Sequence, residues 1–357
     1  MSLFSSILKG NSFLGVDIGT TSIKIAEVLK SGNGLTLGNY GILDIYSYLE
    51  RFNEAFQTSS LRISEEVVTP MLKLIVDKAG FKTKEANASI SAFSVFTTLA
   101  EVPVMTDSEM KKFIDLQAQQ YIPLPLNTVA LDWMRVGERV DDSGLKKSQI
   151  LLVAVPKDLI AKYQSIFAHA GLKLVSLEVE GMSLARSLSG GNTQNQIIID
   201  IGARSTSISI VNNGFLKFLG QTDFAGSSIT QTISNGLNIH PRRSEDFKKE
   251  RGLYGSSGEH ELSTLITPVL DVILYEAKRL IANFESSYGE KVGLAILSGG
   301  SSNLFGIESY FESKLGMKIL KADPFKDLNY DKILENVLKG IGVNLGVAIG
   351  VAIKSYK

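Results

Sequence analysis

Two stretches of the chain carry the same pattern of side chains. Residues 14–28 read LGVDIGTTSIKIAEV and residues 197–211 read IIIDIGARSTSISIV. Aligned on Asp17 and Asp200, both give Asp-Ile-Gly, then a serine (Ser22, Ser205) and an isoleucine (Ile25, Ile208). Each copy is an apolar run, a glycine-bearing turn and a second β-rich run, which predicts a strand–turn–strand hairpin with a polar tip. Gly19 and Gly202 let a backbone N–H approach an anion closely, because no Cβ intervenes. Thr20, Thr21 and Ser22 add hydroxyl donors to the first tip. Ala203, Ser205 and Thr206 form the second. Successive N–H groups in such a turn make an anion-binding nest. Asp17 and Asp200 at the turn entrances suit a hydrated Mg²⁺, which prefers oxygen ligands and keeps several waters. Lys24 shares a strand face with Ser22 and can reach a phosphate, whereas the second copy has Ser207 there. Two ordinary hairpins with capping aspartates would read the same singly. Two copies about half a chain apart point to phosphate binding between two related domains.

A third glycine motif, LAILSGGSSNLFG, spans 294–306. It predicts a strand from Leu294 to Leu297, a turn through Gly299, Gly300, Ser301 and Ser302, and a helix from Asn303 and Leu304 onward. Such a junction brings backbone close to a flat ligand and presents helix N–H groups to it. FAGSSITQTIS (224–234) opens a further helix at Gly226. In HPRRSEDFKKERG (240–252), Glu245 and Lys248 stand three apart. On charge alone that stretch is a solvated helix with interspersed signs.

Two phosphate loops followed by a Gly-Gly turn before a helix resemble the actin-like ATPase superfamily. The segment at Gly226 resembles its G-x-x-x-T helix start, and Glu245 with Lys248 resembles its E-x-x-K pair beside the ribose or base. The resemblance implies an α/β, ribonuclease H-like duplicated fold with two domains around a nucleotide cleft, binding ATP and Mg²⁺. One segment narrows it. Residues 106–136 read TDSEMKKFIDLQAQQYIPLPLNTVALDWMRV. Thr106 and Glu109 have capping-box spacing. Met110, Phe113, Ile114 and Tyr121 recur at helical spacing, Pro123 ends the run, and a strand follows from Val129. QQYIPLPLNTVALDW, together with AVPKDLIAKYQSIFAHAGLKLVSLEVEGMSLAR (154–186), closely resembles the PilM family of type IV pilus assembly proteins over nearly the whole chain.

That family resemblance implies four subdomains: 1A at 1–86, 158–193 and 338–357; 1C at 87–157, placed as in the cell-division protein FtsA; 2A at 194–233 and 291–337; and 2B at 234–290, with a polar loop at 255–262. It implies a partner as well, the N-terminal cytoplasmic tail of a PilN-like membrane protein, bound in a groove between 1A and 1C. The groove would be walled by 107–136, where Tyr121, Ile122, Pro123, Leu124 and Pro125 cluster. Trp133 reads as core of 1C. A pilus assembly ATPase or platform protein and self-association are further expected contacts. Glu180 matches the catalytic carboxylate of related filament proteins, with Gly181 where they carry proline. It reads equally as a helix-capping or domain-interface carboxylate. Arg204 either pairs with phosphate or points outward.

The elements that must position these residues are within reach of the chain. At 357 residues it is long enough for about two domains. Lys+Arg and Asp+Glu are both 37, and this zero net charge argues against broad binding to nucleic acid. There is no cysteine, which excludes disulfides, thiolate catalysis and iron–sulfur clusters. The three histidines (His169, His240, His260) are far apart in sequence, against a His-rich metal site. The N-terminal MSLFSSILKGNSFLG lacks the unbroken apolar core of a signal peptide. The C-terminal GIGVNLGVAIGVAIKSYK falls short of the roughly 20 residues of a spanning helix. Its glycines at 342, 346 and 350 suit close packing of a last helix inside a domain. The expectation is therefore a cytoplasmic protein, peripheral to the inner membrane and not inserted in it. Competing readings are a sugar or acetate kinase of the same superfamily, an Hsp70-like chaperone, and the cytoplasmic domain of a type II secretion protein. The kinase needs a substrate pocket and a base, and no such feature is clear in 215–290. The other two need a peptide-binding domain or a transmembrane continuation.

Overall fold

The computed structural model describes residues 12–32, 34–44, 64–140, 143–191, 193–253 and 260–356. Both glycine-tipped hairpins form, and each opens a sheet of the same design. In the first, β1 (Ser12–Ile18), β2 (Ser22–Ser31) and β3 (Gly34–Asp44) run as an antiparallel meander. β4 (Glu85–Ile90) and β8 (Lys173–Val179) then add in parallel beyond β1. The second repeats this with β9 (Gln196–Ile201), β10 (Thr206–Asn212) and β11 (Phe215–Thr222), followed by parallel β12 (Leu294–Ser298) and β13 (Lys318–Lys321). The orders are β14-β3-β2-β1-β4-β8 and β11-β10-β9-β12-β13, where β14 is Leu328–Asn329. The duplication inferred from two D-I-G turns is thus a duplication of whole sheets. The central strands are buried on both faces, which is why β9 is nearly continuous isoleucine instead of alternating.

A third sheet is inserted into the first half. β5 (Phe96–Pro103), β6 (Val129–Val140) and β7 (Lys146–Pro156) pair in the order β5-β7-β6. α2 (Asp107–Gln117) covers it. The capping box forms as the sequence predicts: Thr106 N–H donates to Glu109 Oε2 at 2.8 Å, and the Thr106 hydroxyl accepts from Glu109 N–H at 3.4 Å. Trp133 packs with Met110, Ile114 and Leu152 in the core of this unit. Ile122 is buried with Val129 and Ala154, so the YIPLP cluster turns partly inward.

The remaining helices are α1 (Glu65–Ala79), α3 (Lys157–His169), α4 (Glu180–Leu188), α5 (Gly226–Leu237), α6 (Pro241–Arg251), α7 (His260–Tyr288), α8 (Ile307–Leu315) and α9 (Glu335–Ala352). α4 and α9 lie between the two large sheets and share one apolar cluster with Ile198, Val211, Leu294 and Ile296. Their approach is so close that a Cβ on Gly350 would lie 2.0 Å from the Ser183 carbonyl oxygen. A buried ion pair holds the same crossing: Arg186 donates twice to Glu178, at 2.6 Å each, and to the Gly350 carbonyl at 2.8 Å. The helical run from Lys332 to Tyr356 is, with its flanking turns, long and apolar enough to cross a membrane, unlike the sequence expectation. However, 67% of its most apolar window is buried inside the fold.

Some expected boundaries shift. The division at 87 cuts β4, all of which belongs to the first large sheet. The chain rejoins that sheet at β14, ahead of residue 338, because Leu328 and Asn329 pair with Leu35 and Thr36. α5 runs through 233 to Leu237 without a break. The helix expected from Asn303 starts only at Ile307. Gly300–Asn303 forms a 3-10 turn, and Gly306, at φ 85°, breaks the path before α8. The polar loop expected at 255–262 lies, through residue 259, outside the described residues, as does the N-terminal stretch before Ser12.

Candidate functional site

The two hairpin tips close identically. Gly19 N–H donates to the Ser22 carbonyl and Gly202 N–H to the Ser205 carbonyl, both at 3.0 Å. The third motif and α5 are tied to the second tip. The Gly202 carbonyl accepts from Gly226 N–H at 3.1 Å and from the Ser301 hydroxyl at 3.0 Å. Gly299 N–H in turn donates to the Val343 carbonyl of α9 at 2.8 Å. Gly299 is required by the turn itself. Its φ is 83°, and a Cβ there would sit 2.4 Å from the Ile201 carbonyl oxygen.

Between these parts opens a cleft of about 420 Å³. Asp17, Thr21, Ser22 and Lys24 line it from the first half, and Asp200, Gly202, Ala203 and Gly226 from the second. Glu245, Lys248, Gly299, Gly300, Ser301, Asn303 and Leu304 line it as well. A smaller chamber of about 100 Å³ lies behind the phosphate-loop end, sharing Asp17, Lys24 and Asp200 with the cleft. Gly19, Thr20, Ser205, Arg204 and Glu180 line this chamber, with Ser89, Ser207 and Tyr163. Arg204 therefore borders this chamber. Thr206 lines neither space. It is fully buried, and its hydroxyl donates to the Phe224 carbonyl at 2.7 Å, so as the first residue of β10 it braces the turn from inside.

The electrostatics are those of three carboxylates around one ammonium. Lys24 donates to Asp17 at 3.1 Å, and Ser89 donates to the other Asp17 oxygen at 3.0 Å. Burial would pull Lys24 down, but Asp17, with help from Asp200 and Asp44, outweighs it and holds the ammonium above its usual range. Burial, opposed by the Ser298 hydroxyl and reinforced by Asp17, pushes Asp200 up to about 6. Burial and then Asp200 push Glu180 up to about 8, against the Ala92 N–H that donates to it at 3.2 Å. A cation placed beside these carboxylates would favour their ionised forms. Among the described residues, no three carboxylate or imidazole groups cluster into a metal cage. Two carboxylates beside anion-binding turns instead fit Mg²⁺ held largely by phosphate oxygens and water.

The Glu245–Lys248 pair is not a solvated face. Lys248 is 8% exposed and donates to Glu245 at 2.5 Å, to Thr230 at 3.0 Å and to the Gly226 carbonyl at 3.1 Å. The sequence reading missed Asn344, Val343 and Val347, which bring α9 into the cleft wall, and Asp44 at the end of β3. Asn344 had a signal, as the lone polar residue in an apolar helical run. Asp44 had none, because only the β2–β3 register brings it opposite Ser22.

A family model for type IV pilus assembly protein PilM matches residues 15–356. The solved structure titled PilM-PilN type IV pilus biogenesis complex superposes with a TM-score of 0.80 at 22% identity, covering 96% of this chain and 98% of that one. MreB5 of Spiroplasma citri bound to ADP gives a TM-score of 0.53 at 14% identity, covering 95% of this chain and 98% of that one. The cell division protein FtsA of Enterococcus hirae is 22% identical in an alignment 346 positions long that covers 87% of this chain and 78% of that one. The fold is therefore actin-like. With the family model spanning both hairpins, the inserted sheet and α9, the chain belongs to the type IV pilus assembly protein PilM family.

Proposed function

We propose that the chain is an ATP-binding scaffold of the type IV pilus assembly machinery, bound to the cytoplasmic face of the inner membrane through a PilN-like partner. The observation that carries the nucleotide half is the convergence of both hairpin tips, the Gly-Gly turn and the Glu245–Lys248 pair on one cleft. The first tip and Lys24 take the β- and γ-phosphates, the second tip faces them, and Gly299 to Leu304 flank the base. Asp17 and Asp200 would hold Mg²⁺, which would supply charge neutralisation for the phosphates.

Glu180 lines the small chamber behind that end, where it orients a water and accepts its proton. A single carboxylate without a dedicated base pair fits slow turnover, consistent with a scaffold whose nucleotide works as a switch. The partner half rests on the family and on the PilM-PilN fold match. The extended N-terminal tail of the membrane protein lies between the first large sheet and the inserted sheet, along 107–136, with its apolar anchors in pockets. Contact with the assembly ATPase or platform protein, and self-association, follow from the same scaffold role.

The test joins calorimetry with Mg-ATP to fluorescence anisotropy with the partner-tail peptide. Wild type should bind both, and Asp17→Ala with Asp200→Ala should lose ATP but keep the peptide. Unchanged ATP affinity in the double variant would remove the nucleotide site. No peptide binding with or without ATP would remove the scaffold.

A further inference from the structure

The inserted sheet touches the second half of the molecule through β11, the edge strand of the second large sheet. One side chain crosses that junction in an unusual way. Lys217, on β11, is 4% exposed, and its Nζ donates to the Val136 carbonyl at 2.6 Å and to Gln149 Oε1 at 2.9 Å. Among the described residues no carboxylate comes within ion-pair distance of it. The nearest aromatic ring, Tyr288 of α7, has its centroid 5.6 Å away.

The inserted sheet is shaped to receive this ammonium. β6 and β7 slip register between Arg135 and Gly137, leaving Val136 as the bulged residue with its carbonyl free for the lysine. The next residue is Gly137, where a Cβ would stand 2.6 Å from the lysine Nζ. Gln149 passes the contact on: its Nε2 donates to Glu101 of β5 at 3.2 Å, and Glu101 accepts from Arg139 of β6 at 3.5 Å. Lys217 therefore grips all three inserted strands. Burying an ammonium against neutral acceptors is costly, and an apolar side chain of similar volume would hold the two bodies together at least as well. Burial accordingly pulls Lys217 down to about 8, with Glu290 opposing. What the lysine adds is a fixed relative position. At its other end, the β10–β11 ribbon begins beside the second phosphate tip, with Thr206 opposite Thr222. Lys217 is five residues along that ribbon, about 17 Å at strand rise.

We propose that Lys217 is the latch that transmits the nucleotide state of the cleft to the inserted sheet. When ATP draws the second phosphate tip toward the first, the β10–β11 ribbon moves as a unit and carries β6 with it through the Lys217–Val136 contact. This rests on the reading that ATP occupies the cleft, and it gives the partner groove beside β6 its regulation.

Amide hydrogen exchange on the full chain, with and without Mg-ATP, tests the latch, alongside calorimetric ATP affinity. Wild type should slow exchange across residues 131–137 on ATP binding by about tenfold, the range of ordinary site-to-site coupling. Lys217→Met should bind ATP within about twofold of wild type yet lose that response, since ATP shifts β6 only by its differential affinity for two states that the latch connects. If Lys217→Met does not fold, Gln149→Met, which removes the second acceptor from inside the sheet, takes its place with the same expectation. A full ATP response in the variant overturns the latch, as does wild type that binds ATP without any response in β6. No ATP binding by wild type overturns both the latch and the cleft reading, and calorimetry separates that case from the other two.

Discussion

Gly300 is the residue where binding and folding separate most cleanly. Its backbone is free of positive φ, and an added Cβ would meet only Asn344 Oδ1, at 3.1 Å. Gly300→Val should therefore keep the fold but fill the cleft wall, costing about tenfold or more in ATP affinity, ~1.4 kcal/mol. Calorimetry on a variant with a native melting curve checks this, and undiminished affinity would show that the glycine serves the turn alone. The raised carboxylates give a second prediction. In the unfolded chain Asp200 and Glu180 ionise near pH 4. In the nucleotide-free fold they keep their protons to about pH 6 and 8. Their contribution to stability is full below the unfolded value and is lost as pH rises through these folded values. Mg-ATP reverses the preference, because a cation favours the ionised forms. For Asp200, one of the two carboxylates proposed to hold the ion, affinity for Mg-ATP should thus rise with pH up to about 6, by up to ~1.4 kcal/mol per pH unit, with proton release on binding. Asp200→Asn should flatten that rise. Titration in buffers of different ionisation enthalpy reads the protons directly.

At the scale of elements, the α4–α9 crossing decides whether two sheets become one molecule. Of the evenly spaced glycines of α9, Gly346 and Gly350 face α4, whereas Gly342 meets the Ala322 carbonyl oxygen, 3.3 Å from a built Cβ. Gly350→Ala would drive a Cβ into the Ser183 backbone, at 2.0 Å, and should cost ~1–3 kcal/mol through forced backbone shifts. Gly340, on the same helix, has nothing within 4 Å of a built Cβ. Gly340→Ala should instead stabilise by ~0.5–1 kcal/mol, because alanine loses less backbone freedom on folding. Thermal or urea melts of the pair give opposite signs if the crossing is as tight as this. Equal shifts would mean that α4 yields. The buried Glu178–Arg186 pair belongs to this crossing too. It places two charged side chains where an unpaired one would be costly, and thereby fixes how the helices meet.

For the whole molecule, the balance of charge and the burial of α9 bear on the membrane. Lys+Arg and Asp+Glu are equal at 37, and the most apolar helix spends most of its apolar window inside the fold. Anionic lipid attracts clusters of basic residues, about 1 kcal/mol for each near the surface, and no net excess is present to supply that. The protein should stay in solution on flotation with protein-free anionic liposomes and rise only with liposomes carrying the partner. Flotation without the partner would mean that the molecule has a lipid-binding surface of its own.

Sequence alone determined the pieces whose logic is local. The D-I-G tips were legible because glycine, hydroxyls and a carboxylate, the groups that would suit a phosphate, sit within a few consecutive residues. The Thr106–Glu109 cap was legible because its two partners lie one helical turn apart. Two such tips in one chain pointed to two related domains, and the resemblance to actin-like ATPases supplied the duplicated α/β fold. Tertiary structure decided whatever depends on register or on distant approach. Thr206 looked like a phosphate ligand beside Ser205, but the pleat of β10 turned it inward to Phe224. Glu245 and Lys248 looked solvated by charge and entered the expected site only through the family resemblance; α5 packing across α6 shows how they come to wall the cleft. Asp44 and Lys217 carry no motif, because the residues they face lie many positions away on other elements, and Asn344 offered only its polarity within an apolar run. Burial, which raises Glu180 and lowers Lys217, is a property of the assembled molecule that spacing along the chain does not encode.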